Sequence, residues 1–339
     1  MQKRQGLRWG WVGVAAVSAL ALAACSGGGS DAAADGDTIK LTLAHSYTED
    51  QPQHACGAQV IADEVAAADV GLEIEIFPSS QLGGDADRIA SVVSGDIDID
   101  LQGASALGAV YEPISVLDAA YVFDGPEHLA AFMDGDASAE VKEAFEAETG
   151  VHALGAWSVG SRQFTANTPI RTPEDLEGLR IRFPGSPQFL MNAKALGATA
   201  TEVAYEELFL ALQQGTVDGQ ENPITNIEAQ GLAEVQDYLS LSSHQLNTNL
   251  IIMSSKWNDL NDEQQGALTD AVQTAVGEVT QCVADNEQAT LDEWRTGGEW
   301  EVVEDVDIDA FRERALDYLS KELSGDSLAV FEAIRSSAS

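Results

Sequence analysis

Basic residues are scarce in this chain: 17 lysines and arginines stand against 56 aspartates and glutamates, a formal charge of -39. Such a surface repels phosphate backbones and anionic headgroups, which excludes nucleic acid and acidic membrane surfaces as partners. Composition leaves open whether the acidity answers saline surroundings, where salt screens self-repulsion, or marks an ordinary acidic secreted protein. Beyond the N-terminal region no segment holds 18 consecutive apolar residues, so the body of the chain is expected to lack a membrane-spanning helix. The five histidines form no HExxH and the cysteines no paired spacing, so a zinc site is unsupported. In the acidic alternation "DIDID" from Asp96, a calcium loop would need Gly and Glu where Leu101 and Leu107 stand, so the stretch reads as a strand. Around Ser158 the first glycine of a nucleophile elbow is replaced by Ala156, and neither a Walker loop nor a dinucleotide fingerprint occurs. No cofactor is implied, and no acid/base dyad or nucleophile supports an enzyme.

What is present begins with an address. Lys3, Arg4 and Arg8 precede an apolar run at 9–21, and "LAAC" follows, ending at Cys25. The order resembles a lipoprotein signal with its lipobox, which makes 1–24 a signal peptide and Cys25 the lipidated residue; the other reading is an ordinary signal peptide with an incidental cysteine. "SGGGSDAAADGD" completes a flexible tether over 25–37. Without the signal, 14 basic residues face 56 acidic ones, a formal -42. About 300 residues remain, more than one hydrophobic core holds comfortably, so two lobes are expected. Cys56 and Cys282 form either one disulfide, as an oxidising compartment permits, or two buried thiols.

Strand and helix patterns then alternate. Strands are expected at 38–45, 71–78 and 96–103, helices at 52–68 and 85–94, and further helices at 126–131 and 138–149 before the strand "VHALGAW". A second series runs from Gly160: strand "RQFTAN", a turn opened by "TPEDL", strand "LRIRF", helix "SPQFLMNAKALG", a short strand near Ala200, helix "YEELFLALQQG" and strand "VDGQEN". A helix over 262–294, about 50 Å long, is long enough to lie across both lobes. The fold class is α/β, with largely parallel sheets whose carboxyl ends face one cleft.

In "LRIRFP" the apolar Leu179, Ile181 and Phe183 alternate with Arg180 and Arg182, so the two arginines share a face and Arg182 lies at the cleft end of the strand. A guanidinium fork matches a carboxylate in a desolvated cleft. Arg162 and the run Gln220, Glu221 and Asn222 before Pro223 also fall at predicted strand ends. For Arg180 a surface ion pair is the simpler role, and for Arg162 a structural salt bridge stands beside ligand contact.

The block from 160 to 223, "GSRQFTANTPIRTPEDLEGLRIRFPGSP" followed by "LGATATEVAYEELFLALQQGTVDGQENP", resembles the solute-binding subunits of TRAP (tripartite ATP-independent) transporters. "FPSSQLGGDADRI" and "SVLDAAYVF" resemble two further family segments. Ala120 stands where the family often has proline, and Gly103 where some acid-sugar binders carry a carboxylate. The resemblance implies a two-lobe periplasmic-binding-protein-like fold with a ligand cleft between lobes and a long helix spanning both. The lobes would be 38–159 with 248–287, and 160–247 with 288–339. It assigns the ligand carboxylate to Arg182 and places Arg162, Asn222, Glu221 and Tyr205 in or near the pocket. His244, Asp85 and the loop Gln102 to Ser105 would touch the other end of the ligand. The implied function is capture of a small organic acid outside the cytoplasm and delivery to an ion-gradient-driven permease; the alternative is a ligand-binding partner of a membrane sensor.

Overall fold

The computed structural model describes residues 38–338. The expected signal peptide, the lipidation at Cys25 and the tether lie outside the described residues.

Nine strands form one hydrogen-bonded sheet: β1 (Ile39–Ala44), β2 (Leu72–Phe77), β3 (Ile99–Gly103), β4 (His152–Ala166), β5 (Arg180–Phe183), β6 (Thr199–Glu202), β7 (Gly219–Pro223), β8 (Tyr238–Met253) and β9 (Glu301–Val303). Their order is β2-β1-β3-β8-β4-β7-β5-β6, with β9 on the flank of β8. The outer pairs β1 with β2 and β3, and β5 with β6 and β7, are parallel, as short strand-helix units dictate. At the centre, β4 and β8 run antiparallel to each other and to their neighbours β7 and β3. The expectation of largely parallel sheets is corrected here. "VHALGAW" and "RQFTAN", read as separate strands, are one 15-residue strand, and its partner β8 spans 16. One end of this pair carries β3, the other β7 and β9, so the crossing strands themselves join the two lobes.

The junction is marked by irregular register. Pairing of β4 with β8 shifts between Ser158 and Ser161 and again between Arg162 and Phe164. Gly160 lies in this region at φ +95°, and a Cβ there would sit 2.0 Å from Glu287 Oε1, so only glycine lets the strand pass under the long helix.

That helix, Asp262–Gly297, begins with a reciprocal cap between Asn261 and Gln264. Leu268, Val272 and Val279 bury against Leu41, Ile61, Ile99 and Trp157 in one core, while Trp294 joins Leu208, Ile224 and Trp300 in another. Each fully buried Leu, Ile or Val contributes about 1.5–3 kcal/mol, so the helix is fastened at both ends by apolar contacts. A third core runs continuously from Phe145 and Val116 to Phe164, Phe183 and Phe311 on the opposite face of the sheet. The last helix, Gly325–Ser337, reaches back to the segment at 112–133, where Arg335 donates to the Val122 carbonyl at 2.9 Å.

The helix expected over 52–68 is continuous, but its first six residues, Gln53–Ala58, wind as a π-helix, a widening that apolar spacing does not signal. It carries Cys56, which is disulfide-bonded to Cys282 of the long helix across 226 residues of sequence. Closing a loop of that length contributes about 2–4 kcal/mol by restricting the unfolded chain. Among the described residues no helix is long and apolar enough to cross a membrane.

Glu287 tests the junction. Burial pushes its carboxyl up to about 8, and its Oε1 has no hydrogen-bond partner. The folded protein therefore holds a proton that the unfolded chain releases above its ordinary value of 4.5, so the cost of the group grows from that pH up to about 8 and is constant above. Glu287→Gln should raise the melting temperature relative to the parent by an amount that increases between pH 5 and pH 8. A difference independent of pH would mean that the carboxylate is already ionised in the fold.

A candidate ligand-binding cleft

A cavity of about 640 Å³ opens between the two halves of the sheet. Ser46, Tyr47, Asp85, Arg88, Gln102 and Ser105 line it from the first half, and Arg162, Arg182, Phe189, Tyr205 and Asn222 from the second. Asn247 and Asn249 reach it from β8.

Arg182 ends a strand whose alternation buries Ile181 and Phe183 on the core side. Its guanidinium is 1% exposed. Nε donates to the Val203 carbonyl at 2.9 Å, and the buried Nη1 has no partner. Burial pushes the group down to about 10, with the Glu221 charge opposing, so it remains a cation at neutral pH. Arg180, on the same face but at the far end of the strand, is exposed and grips Asp218 through Nη2 at 2.6 Å and Nε at 2.9 Å. The surface ion pair is thus its role.

Arg162 is differently placed. It lines the cavity, yet it is bound to both carboxylate oxygens of Glu221, to the Glu221 carbonyl at 2.6 Å, to Asn222 Oδ1 at 3.1 Å and to Asn247 Oδ1. Its guanidinium carbon lies 4.8 Å from the centre of the Phe189 ring. Glu221 is wholly buried; burial would raise its carboxyl, but Arg162 and His244 together hold it below its ordinary value. The positive charge of Arg162 is therefore matched within the protein, while that of Arg182 is not.

The expectation that His244 touches ligand is corrected. It does not line the cavity but lies beneath it, with Nε2 3.2 Å from Glu221, Nδ1 2.8 Å from Ser242 Oγ, and its ring stacked 4.3 Å from Phe164. Burial lowers its proton affinity despite Glu221, so it serves as a neutral prop for that carboxylate. Glu221 likewise sits behind the wall, bonded to Arg162.

At the other wall Arg88 is also buried. Its Nε donates to Asp100 at 2.9 Å, Nη2 to Asp85 Oδ1 at 2.9 Å and Nη1 to the Gly83 carbonyl at 2.9 Å. Gln102 lines the cavity, but its amide is spent on Asp100 at 3.1 Å and on the backbone of Gly103 at 2.9 Å. Asp85 accepts from Ser46 at 3.0 Å as well as from Arg88. The sequence reading passed over Arg88, Tyr47, Asn247 and Asn249. Arg88 had a signal, a rare basic residue one helical turn after Asp85; Asn247 and Asn249 alternate in "LNTNL" and so share a face.

Residues 43–324 match the DctP family, bacterial extracellular solute-binding protein, family 7. The chain belongs to this family. Relatives include solute-binding protein RD1_1052 of Roseobacter denitrificans, 30% identical over 76% of this chain and 80% of the relative. The sialic acid-binding periplasmic protein SiaP of Vibrio cholerae is 31% identical over 79% of this chain and 84% of its own. Among solved structures, a TRAP periplasmic solute-binding protein from Polaromonas sp. JS666 bound to D-erythronate superposes with a TM-score of 0.81 at 29% identity, covering 88% of this chain and 99% of the other. RD1_1052 with bound L-galactonate gives 0.81 at 27% identity, covering 88% and 99%. The chain is an α/β, two-lobe solute-binding protein of TRAP transport that works outside the cytoplasm. Among the described residues no cluster of three or more histidine, cysteine or acidic side chains is arranged to hold a metal.

Removing the charge from Glu221 would leave the buried Arg162 unmatched. Glu221→Gln should cost about 3–5 kcal/mol of folding stability, measured by denaturant unfolding. An unchanged midpoint would show that Arg162 finds its counter-charge elsewhere.

Proposed function

We propose that the cleft captures a small organic acid by its carboxylate, through Arg182, and presents it to the membrane subunits of a TRAP permease driven by an ion gradient. The observation that carries this reading is the unmatched buried cation: Arg182 is 1% exposed, with Nη1 unpartnered at the wall of the cavity. A desolvated guanidinium with open donors is stabilised most by an anion with two oxygens in a plane. Asn222, Tyr205 and the remaining Nη1 hydrogen of Arg162 flank it as neutral or shared donors. D-erythronate and L-galactonate, bound by the two structural relatives, both carry such a carboxylate.

The lobes in this reading are 38–159 with 248–287, and 160–247 with 288–339, the final helix crossing back onto the first. Binding at the junction of β4 and β8 would then draw the lobes together. The N-terminal 24 residues act as a signal peptide, and lipid on Cys25 holds the protein to the outer face of the membrane. Nothing in the structure or among the relatives favours a sensor partner.

Calorimetric titration with a panel of small hydroxy and dicarboxylic acids tests the central claim. Arg182→Ala should weaken the acid that binds by about 2–5 kcal/mol, since its carboxylate would be buried unpaired. Arg182→Lys should also bind poorly, because a point charge does not reproduce the fork. Retained affinity in both variants would remove Arg182 from the role.

A further inference from the structure

The long helix Asp262–Gly297 changes partners along its length. Up to Val279 it packs on Leu41, Ile61 and Trp157 of the first half, and at Trp294 on Leu208, Ile224 and Trp300 of the second. Between these fastenings it crosses the junction of the sheet, and the side chain it lays on that junction is acidic. Glu287 rests on Gly160: a Cβ there would lie 2.0 Å from its Oε1 and 2.6 Å from its carboxyl carbon. Residue 287 keeps some exposure overall, but Oε1 is buried, and no donor among the described residues reaches it. The carboxyl also faces the backbone amide of Ile224, which opens the helix Ile224–Ala229 two residues after the cavity-lining Asn222. Next to Ile224 the two halves meet directly, Gln53 Nε2 with Thr225 Oγ1 at 3.4 Å and Gln51 Nε2 with Asn226 Oδ1 at 3.1 Å. The walls around this carboxyl therefore belong to the long helix, to β4 at its register shift and to the second half at its joint with the first. The charged and titratable side chains of the elements packed there are engaged elsewhere. Arg162 of β4 is bound to Glu221, exposed Glu228 accepts from Thr290 at 3.2 Å, His54 of the π-helix is hydrogen-bonded with His45 at 3.1 Å, and Asp285 of the long helix accepts from Gln281 at 2.8 Å. None of them shifts Glu287, whose proton affinity is raised by burial with the Ile224 amide opposing.

We propose that Glu287 is a proton-binding site coupled to the movement of the two halves: enclosed over Gly160 it holds a proton, and when the halves part and water reaches the carboxyl, the proton leaves. A buried carboxylate needs a cation or several donors to offset its lost hydration. Here it has one backbone amide and no cation, so the neutral acid is the form that suits the enclosure. Its walls are fastened to different halves, so parting them draws Ile224 and the turn of β4 at Gly160 away from the helix and admits water. The hydrated carboxyl then titrates near its ordinary 4.5, against about 8 when enclosed. Closing therefore takes up a proton, and rising pH disfavours the enclosed arrangement progressively between those two values and no further above them. By linkage, a ligand held by both halves is released more readily as the pH rises through this window, without any group of the cavity changing its charge. The inference goes beyond acid capture and does not depend on which ligand is taken.

The test follows the separation of the halves in the full chain with no ligand added. Val93 and Leu210 are exposed, on helices of the first and the second half. Val93→Cys and Leu210→Cys, in a chain that also carries Cys25→Ser and keeps the bond between Cys56 and Cys282, accept a donor and an acceptor dye for single-molecule energy transfer. The ratio of parted to enclosed molecules should rise by about tenfold from about pH 5 to about pH 8, and the rise should vanish in Glu287→Gln. Glu287→Met, equally unable to titrate, replaces the glutamine variant if a melting curve shows the latter unfolded. A ratio that stays constant with pH in the parent overturns the proposal. So does a rise that persists in a folded variant, which would make Glu287 a merely structural residue and move the proton to another group such as His54. Acid capture and the proton site fail separately: the failure of every acid to bind would sink the first and leave this ratio untouched.

Discussion

The cavity depends on the ion pair between Arg162 and Glu221. Two arginines reach the same wall within a strongly acidic protein, and two unmatched cations side by side without solvent would repel each other. Glu221, wedged between Arg162 and the neutral ring of His244, removes one of those charges, and its three contacts, with those of Asn222 and Asn247, fix the guanidinium through five hydrogen bonds to two strands. What remains is a single cation, Arg182, in a polar but otherwise acid-rich setting. The specificity of the site is thereby a difference between two arginines: one is part of the scaffold and one is not.

Much of the frame was legible from residue patterns. Ser186 and Pro187 announced the start of a helix, and the structure has Ser186 accepting from the Phe189 backbone there, with Gly197 closing the helix in the left-handed region. The alternation in "LRIRF" gave β5 its two faces. The middle of the sheet was harder, because a strand that crosses between lobes is interrupted by bulges, and each bulge resets which side the next residue faces. Ser243 at φ 42° is such a point, and His244 just after it faces the core while Asn247 and Asn249 face the cavity. Counting in twos from Asn247 would have turned His244 away from the ligand. The resemblance drew attention to Arg182 and Arg162 alike; only their hydrogen-bond partners, drawn from distant strands, tell them apart. Arg88 escaped notice for a related reason, since its partner Asp100 lies in a strand whose acidic alternation reads as surface.

The overall charge and the local site act over different distances. At long range the acidic surface opposes an approaching anion, and dissolved salt weakens that opposition over roughly 8–10 Å. At contact, the buried arginine acts in a medium from which salt is excluded. Salt should therefore ease entry more than it weakens holding, a combination suited to a binding protein in a concentrated ionic medium.

The bond between Cys56 and Cys282 also shapes how the protein bears force. It joins the first helix of the body to the middle of the long helix across a sequence separation of 226, and the enclosed segment includes β2 through β8. A pull applied between the two chain ends would pass from β1 and the first helix directly into the long helix and the C-terminal segment. The covalent loop that carries most of the cavity is bypassed by this path, and its strands feel the load only through the hydrogen bonds of β2 and β3 with β1 and of β8 with β9. Mechanically the molecule is a short load-bearing strap with the binding machinery hung to one side of it.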